Sequence, residues 1–192
     1  MGYSVLSEPN PAQLFDRIAA IEALLGAGAG GSAVGTQFGT HYYTAGYVPP
    51  TLTSGTDTAG VANKIWVAEV RIDKNTLITG ISWLIGATGG TDNVIAILYD
   101  RLGNVLATSA LAGTLVGTLD TFQRLAFVTP YQAAPGLYYI GIQTNGVTAT
   151  LRLQAGGDHN AGGITGQTFG TPTAITPPST FTAATGPIAM TY

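Results

Sequence analysis

Residues 136–144 read Gly-Leu-Tyr-Tyr-Ile-Gly-Ile-Gln-Thr. Their alternation predicts a β-strand with Tyr138, Ile140 and Ile142 on one face and Leu137, Tyr139, Gly141 and Gln143 on the other. The first set reads as core. Residues 122–128, Phe-Gln-Arg-Leu-Ala-Phe-Val, repeat the period with Phe122, Ala126 and Val128 on one face and Gln123, Leu125 and Phe127 on the other. Apolar groups on both faces point to a strand packed inside two layers.

Working outward, the chain from Thr36 is a succession of short β-rich runs separated by Gly, Pro, Asn and Asp. Predicted strands are Thr36 to Tyr43, Lys64 to Ile72, Thr76 to Ile85, Asn93 to Tyr99, Val105 to Ser109, Phe122 to Val128, Gly136 to Thr144, Thr148 to Gln154 and Phe181 to Tyr192. Asp100-Arg-Leu-Gly-Asn104 reads as a tight hairpin in which Gly103 and Asn104 can take positive φ. Residues 156–178 are rich in Gly, Thr and Pro and read as long loops ordered by neighbouring chains. With no helix between the strands, the pattern predicts an all-β, antiparallel, jelly-roll-like β-sandwich over residues 36–192.

Ahead of it, Asn10-Pro11-Ala12-Gln13 is a helix start: Asn10 caps, Pro11 suits the first turn and Gln13 reaches back. The helix runs from residue 10 to 25 and stops at Gly26. Leu14, Ile18, Ile21 and Leu25 follow the 4-3-4 spacing of a coiled-coil seam, with Phe15 and Leu24 widening it. A helix of about 15 residues is marginal alone. The Gly-rich linker of residues 26–35 uncouples it from the sandwich, which favours packing against copies of itself, and the wide Ile-containing seam leans towards a homotrimer. Residues 1–9 form a docking segment in which Tyr3, Val5 and Leu6 are the apolar anchors.

Composition agrees with life in an assembly. Only 9% of residues are charged, against roughly 25% in soluble domains, so little ionic surface opposes association. Seven Lys and Arg are scattered and the net charge is −3, which excludes nucleic acid as a partner. No stretch approaches the ~18 apolar residues that cross a bilayer as a helix, so no membrane insertion is expected. There is no Cys, which removes disulfides, thiolate metal sites and thiol catalysis together.

Between Ile78 and Leu153, the segments Ile81-Ser-Trp-Leu, Thr91-Asp-Asn-Val-Ile-Ala-Ile-Leu-Tyr-Asp100, Leu102-Gly-Asn-Val-Leu-Ala107, Phe122-Gln and Gly136-Leu-Tyr-Tyr-Ile-Gly141 resemble the jelly-roll head domains of small accessory virion proteins of tailed bacteriophages. These include capsid decoration proteins, head fibres and tail-associated adhesins. The resemblance implies a virion structural protein, on the capsid surface ahead of the tail, anchored by its N-terminus to the major capsid or another virion protein. The alternative it implies is a tail-associated adhesin bound to a host receptor or surface glycan.

Chemistry is sparse. Only His41 and His159 supply imidazole, and no G-x-S-x-G elbow accompanies them. His41, beside Tyr42 and Tyr43, reads as a partly buried strand residue. Glu69 and Asp73 are the nearest acid pair, but four strand positions set them roughly 13 Å apart, too far for a glycosidase pair. Asp92, Asp100, Asp120 and Asp158 fall in predicted turns, where Asp ordinarily braces the backbone, although the same oxygens are suited to Ca²⁺. Trp66 and Trp83 read as core. Tyr131 together with Asp158, His159 and Asn160 forms the candidate ligand-contact loop. Neither an enzyme nor any cofactor or metal is expected.

Overall fold

A computed structural model of the chain describes residues 37–38, 41–44, 55–155, 159–179 and 185–192. The docking segment, the helix of residues 10–25 with its Leu14, Ile18, Ile21 and Leu25 seam, the linker and Asp158 lie outside the described residues. Every strand pairing is antiparallel, and no helix occurs among the described residues.

The first layer is built on β4 (Lys64–Ile72), β6 (Asn93–Asp100) and β10 (Gly136–Thr144). Strand β10 lies between the other two, with Ile140 opposite Ala68 on one side and Leu98 on the other. Outside them run β12 (Ala161–Thr165) next to β4, β7 (Val105–Thr108) next to β6, and the short β8 (Thr114–Leu115), also on β6. The second layer comprises β9 (Phe122–Ala133), β5 (Thr76–Leu84) and β14 (Ala189–Thr191), continued by β13 (Thr185–Pro187), β11 (Thr150–Ala155) and β3 (Thr56–Ala59). At Ile188 the last strand changes partner: its N–H donates to the Arg152 carbonyl, and its own carbonyl accepts from Leu84 N–H. A bridge between Ile85 and Leu151 completes the join. Near the start, β1 (Gln37–Phe38) pairs with β2 (His41–Tyr42), and Thr44 then bridges to Val70.

The predicted alternation sorts the core. Trp66, Val70, Ile140, Ile142 and Leu98 of the first layer meet Trp83, Ile85, Leu125, Phe127 and Leu151 of the second in one buried cluster. Each fully buried side chain of this size contributes about 1.5–3 kcal/mol. In β9 the face carrying Leu125 and Phe127 is inside, while Val128 on the other face is 70% exposed. Where β13 passes β4 the layers come very close: a Cβ on Gly186 would stand 2.6 Å from the Ala161 Cβ and 2.7 Å from that of Ala68. Only small residues fit there.

The first layer is buried on its outer face as well. Ile65, Val67, Ile95, Ile97, Tyr99 and Tyr139 form a second cluster roofed by Ile175, with Phe169 and Ile164 at its margin. This corrects two expectations. Tyr139 is as buried as Tyr138, and much of residues 156–178 is not loop awaiting a neighbour. Residues 161–165 add an edge strand to β4, and residues 166–178 lie over the outer face. Gln143 Nε2 donates to the Gln167 carbonyl at 2.8 Å and Ile175 N–H to the Gly103 carbonyl at 3.0 Å. Three apolar side chains spaced through a Gly, Thr and Pro background are enough to hold the segment down, because each buries against the same patch.

Turn chemistry is close to prediction. Gly103 takes φ 88°, but Asn104 does not enter the positive region; it instead donates backbone and side-chain N–H groups to the Asp100 carboxylate. Among the described residues Asp120 alone of the non-glycines has positive φ, at 52°.

Candidate functional site

On β4 the inward Ala68, Val70 and Ile72 alternate with outward Glu69 and Arg71, and Asp73 follows at the start of the turn into β5. Across the β4–β10 ladder Glu69 pairs with Tyr139 and Arg71 with Leu137. Glu69, Arg71 and Leu137, with Ile72, Asp73, Pro135 and Gly136, line an open groove of about 560 Å³.

Both carboxylates are held from behind. The Tyr42 hydroxyl donates to Asp73 Oδ1 at 2.6 Å and also lies 3.2 Å from the Thr76 hydroxyl. Asn160 Nδ2 donates to Glu69 Oε2 at 2.7 Å, and Glu69 N–H to the Asn160 carbonyl at 2.9 Å. Burial, reinforced by the acceptor Asp73, pushes the Tyr42 phenol above its ordinary pKa, so it remains a donor at neutral pH. Burial, with the charge of Glu69 adding to it, does the same for Tyr139. Arg71 is exposed, and the ion pairs of Arg152 with Asp57 and with Asp120 do not involve it.

The described members of the candidate ligand-contact loop are not brought together: Tyr131 lies apart from His159 and Asn160. Asn160 reaches the groove through Glu69. His159 beside it is 4% exposed, which removes it from the surface role the Gly-rich sequence suggested. Tyr131 belongs to β9, packs against the main core and stands 6.4 Å, edge-on, from Tyr138. It therefore lies on the opposite side of the first layer from Glu69 and Asn160, in a separate groove of about 390 Å³ between β7 and β9 with Leu106, Thr108 and Val128. His41 is half-buried in β2, and Trp66 and Trp83 are core, as read from sequence.

Of the three described turn aspartates, two brace backbone and one pairs with a guanidinium. Asp92 Oδ2 accepts from Thr148 N–H at 2.8 Å and Ala149 N–H at 2.9 Å; Asp100 Oδ1 accepts from Leu102 and Asn104 N–H; Asp120 pairs with Arg152. Among the described residues no group of three His, Asp or Glu side chains is placed to hold a metal ion, and no helix is long and apolar enough to cross a membrane.

The sequence reading missed Arg71 and used Glu69 and Asp73 only as a failed catalytic pair. The signal was present: charges at 69 and 71 interrupt one face of an otherwise apolar strand, and a third follows at 73, just past its end. Comparison of the chain with protein-family models, with curated proteins and with solved structures gives no match.

Proposed function

We propose that this chain is a non-enzymatic virion structural protein of a tailed bacteriophage, a homotrimeric capsid decoration or head-fibre protein anchored by its N-terminus. The observation that carries the reading is the capped Leu14/Ile18/Ile21/Leu25 seam, set by a Gly-rich linker before a sandwich poor in charge. Such a helix needs partners, and such a surface tolerates them. The jelly-roll element of the reading is supported by the way successive strands cross between layers, from β4 to β5, β5 to β6, β8 to β9, β9 to β10 and β10 to β11. It is carried only as far as that alternation.

Electron microscopy of particles bearing a gold-labelled C-terminal tag tests the assignment. Label on the capsid shell is the expected result, and particles free of label would overturn it. Label confined to the tail would move the protein to the second reading, a receptor- or glycan-binding adhesin. The groove beside β4, with its carboxylates fixed by Asn160 and Tyr42, favours that second reading.

A further inference from the structure

We infer that the groove beside β4 binds a neutral saccharide through hydroxyls that meet Glu69, Arg71 and Asp73. The inference rests on the second reading and names its ligand class.

Glu69 and Arg71 follow one face of β4 about 7 Å apart by strand rise, and Asp73, in the turn just past the end of the strand, completes a lining of alternating sign. Arg71 pairs with neither neighbour, so all three retain hydrogen-bonding capacity. In each carboxylate one oxygen is held by the protein, Glu69 Oε2 by Asn160 and Asp73 Oδ1 by Tyr42. A ligand then has little side-chain entropy to remove. The positions are fixed further by regular pairing, Glu69 with Tyr139 and Arg71 with Leu137.

The choice of ligand follows from donor and acceptor capacity. A carboxylate only accepts, a guanidinium only donates, and a hydroxyl does both. A polyol therefore satisfies all three groups in one pose. An anionic ligand meets Arg71 but is repelled by two carboxylates, and a cationic one meets the carboxylates but is repelled by Arg71. Leu137 and Pro135 add apolar surface for the C–H face of a sugar ring. The volume, about 560 Å³, falls in the range of small-ligand sites.

Calorimetry and saturation-transfer NMR on the full-length protein, with lactose, maltose and mannobiose as probes and glucuronate and glucosamine as charged controls, test this. The expected result is saturable binding of at least one neutral disaccharide, weaker by about tenfold in Arg71→Ala and again in Glu69→Gln, roughly the loss of one charge-assisted hydrogen bond. The charged controls bind more weakly than glucose, which is run beside them as the neutral monosaccharide reference. Absence of binding by all three disaccharides overturns the inference. So does binding that survives both substitutions and falls with Tyr131→Ala; that outcome leaves a glycan-binding function standing at the other groove. Tail-localised protein that attaches to host cells independently of sugar overturns the inference while leaving the adhesin reading in place.

Discussion

Arg152 Nε lies 2.7 Å from the Asp57 carboxylate, directly across the β11–β3 ladder, with only 6% of the arginine side chain exposed. Its Nη2 contacts Asp120 on the turn before β9, and the other Asp57 oxygen accepts from Ala87 N–H at 2.9 Å. One guanidinium thus ties a strand pair to two loops.

The guanidinium is buried but its two partners are 30% and 40% exposed, so water screens the carboxylates left behind and the cost of losing Arg152 is about 1.5–3 kcal/mol, that of a hydrogen bond to a charged group. Arg152→Ala is expected to lose stability on that scale in urea denaturation, with both aspartates then facing each other's charge. A loss below about 1 kcal/mol, the size of an exposed pair, would contradict the tie.

Tyr99 is fully buried in the outer-face cluster, its hydroxyl has no hydrogen-bond partner among the described residues, and burial pushes its phenol well above the ordinary pKa. An unsatisfied buried hydroxyl costs about 1–3 kcal/mol. Tyr99→Phe is therefore expected to hold or raise the thermal midpoint, and a clear fall would mean the hydroxyl has a partner.

Acid sensitivity should trace to Asp92 and Asp100. Burial acts to raise both, but the Ala149 and Thr148 donors for Asp92, and the Asn104, Leu102 and Gly103 donors for Asp100, outweigh it and lower each pKa below 3.8. A folded-state pKa below the unfolded one gives stability that is complete above the unfolded value and lost as pH falls through the folded one. Denaturation midpoints should be flat from neutral pH to about 4 and decline below it, and Asp92→Asn should be less stable at pH 7 with a shallower acid decline. An unchanged acid limb in that variant would refute the assignment.

Ile175 is 7% exposed and roofs the second cluster. Ile175→Ala should cost about 2–5 kcal/mol and raise binding of a hydrophobic dye. If residues 166–178 were instead held by neighbouring chains, the loss would appear only in assembled protein, so measurement across a dilution series decides between the two.

How far the sequence could be read follows from where each element's information lies. The bounds of Lys64–Ile72 and Gly136–Thr144 are the predicted ones, because these strands are central and their own side chains carry the pattern. The edge strands Thr56–Ala59 and Ala161–Thr165 escaped: Thr-Asp-Thr-Ala and Ala-Gly-Gly-Ile-Thr have almost no apolar alternation, and what places them is backbone pairing, with β11 for the first and with β4 for the second. The burial of Tyr99 and Tyr139 was equally hidden, since their cover comes from Phe169 and Ile175, far along the chain. The groove depended on contacts no local pattern contains, Asn160 meeting Glu69 across 91 positions and Tyr42 meeting Asp73 across 31. Composition and the helix seam, by contrast, are properties of sequence alone, and the proposed assembly is drawn from them.

That assembly is tested most directly by the mass of the full-length chain in solution, measured by light scattering after size exclusion. One chain weighs 19.6 kDa, so a trimer weighs about 59 kDa. The account predicts the trimer mass across a tenfold dilution, and a particle of 19.6 kDa throughout that range would contradict it.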